Sequence, residues 1–292
     1  MKLLIVGPEN RTNTEISLLE RAKEYFDTVL YVPMAGVRIE TTTDESIPYY
    51  KNTNLFEFDA VLGRISKKNS DAGYVLMKLF EDRKLYTINS YKSILYSYNE
   101  FLAPIFLKTK GIPTPKIHFA ITRKAIEHIL PDIKYPVLLR LPYEKKGSVV
   151  IDSYDSAKGV IDTIEKLSQP IMIQDIYRNG SPVTVLVAGS RLFCIEGKDT
   201  VYTPTEQEKY LLKKAASLFE AGLCSISAIK HNNHILITGM DICPSMDKYT
   251  ELFEKDIYDI FLKQIAKNTE RISSKNPIAR LANIFENALS RK

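Results

Sequence analysis

The chain has 292 residues, 45% of them hydrophobic and 26% charged, which is long for one domain and short for three large ones, so two or three compact subdomains are expected. No run of about 18 apolar residues occurs, which speaks against a membrane helix, and the N-terminal MKLLIVGPEN turns polar too soon for a signal peptide, so a cytoplasmic protein is expected. The net charge of +5 is mild and the lysines are scattered, so nucleic-acid binding is allowed but not indicated. Cys194, Cys224 and Cys243 are odd in number and lack CxxC spacing, against both a disulfide framework and a zinc site.

The first elements alternate. KLLIVG reads as a buried strand, Thr14 to Tyr25 as a helix with Ile16, Leu18, Leu19 and Ala22 on its apolar side, and TVLYVP as a second strand. The stretch from Met34 to Asn54 reads as a hairpin or long loop. FDAVLGRI is a third strand, followed by a helix through AGYVLMKLFEDR and the short strand YTIN. This β/α order predicts a small parallel sheet with helices on its faces.

SYKSILYSYNEFLAPIFLKTKGIPTPK then reads as one helix closed by a glycine and two prolines, since glycine takes a left-handed cap and proline cannot continue the ladder. IHFAIT, a helix from Arg123 to Ile129, YPVLLRL, SVVID and a helix from Asp155 to Leu167 follow. After Ser168 to Pro170 come PIMIQDIY, the hairpin PVTVLVAGSRLFCIEG and a helix from Glu206 to Ala221. The hairpin SISAIKHNNHILITGMDI and a helix from Thr250 to Lys267 complete this part. His231 and His234 flank the second hairpin turn and read as solvated turn residues rather than a metal pair. In the tail, Asn276 can cap and Pro277 fits a first turn, while Ile278, Leu281, Ile284, Phe285, Ala288 and Leu289 recur at helical spacing. An amphipathic basic helix over 271–292 is expected.

One connection carries chemistry. LLRLPYEKKGSVV lies between two strands and holds Gly147 beside Lys145 and Lys146. Glycines let backbone N–H groups approach phosphates and a lysine balances the charge, so the stretch reads either as a reduced phosphate loop or as a basic hairpin tip.

The order of these phrases resembles the ATP-grasp family, and within it the RimK-like amino-acid ligases that add glutamate to a protein or cofactor. FDAVLGRIS, the Gly-Ile-Pro-Thr-Pro phrase, YPVLLRLPYEKKGSVV, IMIQDIYRNGSPVTVLVAGSRLF and ITGMDICPSMDKYTE carry the likeness over about residues 1–268. It implies an α/β chain in which an N-terminal α/β pre-ATP-grasp domain (1–92) precedes two α+β subdomains (93–168 and 169–270) that clasp a cleft, with 271–292 as an added helix. ATP and magnesium are the cofactors implied.

The resemblance also implies where ligands would sit. Arg140 stands at a phosphate-binding lysine, with Lys145, Lys146 and Gly147 in the phosphate loop, Gln174 and Asp175 beside adenine, and Lys198 near a further basic position. The other phosphate-binding lysine falls at Asn99 and Glu100, and a carboxylate there repels phosphate. The magnesium positions fall on Ile229 or Lys230 and on Asp241 and Cys243, of which only Asp241 suits a hard cation. Asp241 reads equally well as a cap on the turn before Pro244. A noncatalytic scaffold or regulatory protein with an unknown protein partner is therefore expected. An active carboxylate-amine ligase and a metal-independent nucleotide or anion binder are the alternatives.

Overall fold

The structure, a computed structural model, describes residues 1–140, 147–166, 169–232 and 234–275. The tail helix expected over 271–292 therefore lies mostly outside the described residues, as do Lys145 and Lys146 of the loop. In chain order the first part runs β1 (Lys2–Gly7), α1 (Asn13–Ala22), β2 (Thr28–Pro33), β3 (Val37–Thr41), β4 (Ser46–Tyr50), β5 (Thr53–Asn54), β6 (Ala60–Gly63), α2 (Ser70–Asp82) and β7 (Tyr86–Thr87). The predicted parallel sheet has the order β2-β1-β6-β7, and the stretch left as hairpin or loop is a three-stranded antiparallel sheet, β3-β4-β5. β1 reads as an unbroken apolar run because both of its faces are covered: Leu3 to Val6 are all fully buried. Helix α1 starts at a Thr-x-x-Glu box, in which the Thr12 amide donates to Glu15 Oε2 at 2.8 Å. Its buried face is Thr14, Glu15, Leu18 and Ala22; Ile16, expected inside, is exposed.

The chain continues through α3 (Tyr91–Tyr98), α4 (Leu102–Thr109), β8 (Ile117–Ala120), α5 (Arg123–Ile126), β9 (Val137–Arg140), β10 (Ser148–Ile151), α6 (Tyr154–Lys166) and β11 (Ile171–Asp175). The single helix expected from residue 91 is two helices, broken at Asn99 to Phe101. Pro104 supplies the reason. In a continuous helix it would lack the N–H owed to the carbonyl of residue 100 and its ring would press on that carbonyl, whereas in the first turn of α4 it costs nothing. The strands form an antiparallel sheet of order β10-β9-β11-β8. β11 pairs with β8 and β9, so this sheet crosses the subdomain boundary placed at 168/169.

The last part is β12 (Ser181–Ala188), β13 (Arg191–Glu196), β14 (Thr200–Tyr202), α7 (Glu206–Leu218), β15 (Leu223–His231), β16 (His234–Asp241), α8 (Asp247–Phe253) and α9 (Ile257–Lys275). Its five strands form an antiparallel sheet, β14-β13-β12-β15-β16, with His231 opposite His234 at the end of the predicted hairpin. Where one C-terminal helix was expected there are two. Glu254 takes a left-handed conformation (φ 49°) that ends α8, and Asp256 restarts the chain by accepting from the Asp259 amide at 3.1 Å.

Among the described residues, three cores hold the molecule. One face of the parallel sheet and one face of the five-stranded sheet share a core with α2, α3, α4 and α7, including Leu4, Val61, Phe80, Leu107, Val185, Ile226 and Phe219. The opposite faces share a second with α1, α8 and α9, including Ile5, Leu62, Leu186, Leu223 and Phe261. Buried Asn89 joins the same two sheets: its amide donates to the Leu223 carbonyl and its carbonyl accepts from the Leu223 amide, each at 2.9 Å. The third core, with Leu130, Leu139, Ile161, Ile164 and Ile173, joins the central sheet to α5, to the 3-10 helix Glu127–Asp132 that follows it and to α6.

Candidate functional site

Alternation along β9 and β11 sends Leu139 and Ile173 into the central core and turns Arg140, Met172 and Gln174 to the other face, where Arg140 sits directly opposite Met172. The break between α3 and α4 lies over that face. Phe101, from the break, stacks on Phe119 of β8 with centroids 4.2 Å apart. Its neighbour Glu100 reaches Arg140, with Oε2 2.5 Å from Nη2, and Arg140 Nη1 donates to the Oε1 of buried Gln174 at 3.3 Å.

The pair is only about one-fifth exposed, 22% for Arg140 and 21% for Glu100, so its attraction is screened less than that of a surface pair. The two positions at which the resemblance expects phosphate-binding cations thus hold opposite charges bound to each other. Both residues are plain in the sequence; their pairing was missed, and the opposite signs at two positions meant to share a ligand were the available signal. Gln174 lies in this cluster. Asp175, next on β11, ends the strand and donates its amide to the Lys116 carbonyl at 3.0 Å. Gly147 lies just ahead of β10.

The remaining positions lie on the five-stranded sheet. Lys198 is exposed on the β13–β14 turn, where its carbonyl accepts from Lys248 Nζ. Asp241 is opposite Ser225, and alternation along β15 places Ser227 and Ile229 on the same face and Lys230 on the other. Lys230 lies over the Tyr202 ring at 4.4 Å. The residue beside Asp241's face is therefore the isoleucine.

Asp241 Oδ1 accepts from the Cys243 amide at 2.9 Å, which caps the turn before Pro244. Cys243 donates its thiol to the Ile65 carbonyl at 3.0 Å, and burial pushes that thiol up to about 11, so it is not a thiolate at neutral pH. One carboxylate, one neutral thiol and one aliphatic side chain do not fit magnesium, which takes hard oxygen donors. Among the described residues no group of three or more His, Cys, Asp or Glu side chains is placed to hold a metal. Nor is any described helix long and apolar enough to cross a membrane.

Comparison with known proteins agrees with this geometry at the level of fold. No family model matches the chain. A probable alpha-L-glutamate ligase of Marinomonas sp. strain MWYL1 is 21% identical over 296 residues, covering 94% of this chain and 98% of the relative. One from Hydrogenovibrio crunogenus is 20% identical over the same shares. Among solved structures, a RimK domain ATP-grasp protein from Sphaerobacter thermophilus superposes with a TM-score of 0.71 at 16% identity, over 89% of this chain and 98% of the other. The ATP-grasp ligase PsnB, solved with a minimal precursor, Mg and ADP, does so with a TM-score of 0.71 at 12% identity, over 92% and 98%.

Proposed function

We propose that this chain, a RimK-like ATP-grasp protein, works without catalysing ligation, as a scaffold or regulatory protein that binds a protein partner. The observation that carries the reading is the Glu100–Arg140 pair, which sets a carboxylate against the cation meant for phosphate. Ligation in this family needs the γ-phosphate neutralised while a carboxylate attacks it, and charge neutralisation and positioning supply most of the catalysis. Each lost charge-stabilising donor commonly costs about 10²- to 10³-fold in rate. Here a lysine position is acidic and the magnesium positions keep one carboxylate, so the losses multiply.

The names of the relatives favour a second reading, an active glutamate ligase, with Arg140 and Lys198 supplying charge. Calorimetric titration of the full chain with ATP, with and without magnesium, separates the two. The expected result is no saturable binding up to about 10 mM ATP, with or without magnesium, and no phosphate release when glutamate and amine acceptors are added. Binding tightened by magnesium and weakened in Asp241→Ala, together with amine-dependent phosphate release, would overturn the noncatalytic reading. Weak, salt-sensitive and magnesium-independent binding would identify an anion binder instead.

A further inference from the structure

Arg64 is matched by Glu15 in the interior, and Arg21 of α1 by Asp256 just ahead of α9. The outer face of α9 is different. Phe261, Leu262, Ile265 and Ala266 of this helix are buried in the core shared by the two terminal sheets, so the helical period turns Lys263, Lys267, Glu270 and Arg271 to solvent, and all four are exposed. Arg191, also exposed, starts β13 beside them: the Ser190 amide donates to Gln264 Oε1 at 3.0 Å and the Ser190 hydroxyl to the same oxygen at 3.1 Å. Among the described residues, none of Lys263, Lys267, Arg271 and Arg191 forms an ion pair.

That arrangement works against the helix. Lys263, Lys267 and Arg271 recur at the i, i+4 spacing at which like charges repel, and only Glu270 stands among them with the opposite sign. The negative end of the helix dipole favours cations in the last turn alone, so it does not account for Lys263 and Lys267, which lie well before the end at Lys275. The spacing does suit an anion from outside. Four residues advance a helix by about 6 Å, comparable with the step between neighbouring phosphates along one strand of a nucleic acid. The remaining composition narrows the partner. No aromatic or large apolar side chain stands among these positions, as the middle of a protein–protein interface requires. The apolar side of α9 is buried in the core, so the helix has nothing to insert into a bilayer. Bases would find no ring to stack on, which leaves phosphates.

We propose that the outer face of α9, with Arg191, binds the phosphate backbone of double-stranded nucleic acid without reading its sequence. The inference goes beyond the function proposed above and stands whether or not the nucleotide cleft works, because neither Glu100 nor Arg140 takes part.

The test uses the full chain and a fluorescein-labelled DNA duplex of about 20 base pairs, followed by anisotropy. Saturable binding is expected at about 50 mM salt, with log K falling against log salt at a slope of about −3, the value for three to four phosphates, and equally for duplexes of unrelated sequence. Lys263→Ala and Lys267→Ala should each reduce that slope by about 1, and the double reversal Lys263→Glu, Lys267→Glu should abolish binding. Lys213→Glu with Lys214→Glu, on α7 at the opposite face of the five-stranded sheet, should leave it nearly unchanged. No binding at about 50 mM salt, a slope near zero, an equal loss from the α7 reversals, tighter binding to a single strand of the same length, or binding to phosphatidylserine vesicles but not to the duplex would each overturn the proposal. The salt dependence of the unaltered chain decides the matter if a variant fails to fold.

Discussion

The parallel sheet near the N-terminus and the five-stranded sheet near the C-terminus bury their faces in common cores, so Leu4 packs in one cluster with Val185, and Ile5 in another with Leu186. The central sheet, between them in sequence, builds a separate core with the helices that flank it. The contrast teaches that sequence distance is a poor guide to which segments fold together. Two sheets separated in sequence by the whole central sheet share cores, while the central sheet meets the break between α3 and α4 through a face that bears the Glu100–Arg140 pair and the Phe101–Phe119 stack. Cooperative opening units follow such packing boundaries.

The strongest way to break this comparison is to cut into a common core. Phe261→Ala empties a fully buried site in the cluster shared by both terminal sheets and should cost about 3–5 kcal/mol, read as a lower denaturant midpoint with amides of β1 and β12 losing protection together. Loss confined to α9 would show that the sheets do not stand or fall as a unit. Glu15→Gln removes one partner of a buried pair, for which about 3–5 kcal/mol is the ordinary cost. It also carries a pH signature. The folded-state pKa of Glu15 is depressed, so its contribution is present above the unfolded value and is lost as pH falls through the folded one. Urea midpoints of parent and variant should thus converge as the medium is acidified, and parallel curves would sink the assignment.

Ile173→Ala sharpens the contrast from the other side. Its cost of about 2–5 kcal/mol should fall on the central sheet, with faster hydrogen exchange in β8, β9 and β11 while β1 and β15 keep their protection. The smallest effect on stability is expected of Glu100→Gln, about 1 kcal/mol or less for a partly exposed pair. Its effect on binding should be larger than that, because Arg140 is released to meet phosphate. Titration with tripolyphosphate checks this, and an unchanged affinity would mean that Glu100 is not what withholds Arg140.

Much of the fold was legible. The β/α alternation, the two C-terminal hairpins and the buried first strand follow from apolar periodicity, which reports burial directly. The breaks were less so, because Pro104 and Glu254 interrupt helices whose apolar stripe runs on across the interruption. Arg140, Gln174 and Asp241 were singled out in the sequence by position alone, and what each touches depends on chain crossings that no local pattern records. Arg64 was visible only as part of a strand phrase; its burial against Glu15 needs β1, α1 and β6 in place. Glu15 serves both the Thr12 box and Arg64, and only the first of these partners lies near it in the chain.

Pro104 has a reach beyond its own turn. On an uninterrupted helix each residue is rotated by roughly 100° from the last, so the direction in which residue 100 points would be set by its place in that spiral. By stopping the spiral, an uncharged ring decides that a carboxylate leaves the backbone where it meets Arg140. Pro104→Ala is in that sense an electrostatic substitution, one that alters the potential around Arg140 while leaving the net charge of the chain untouched.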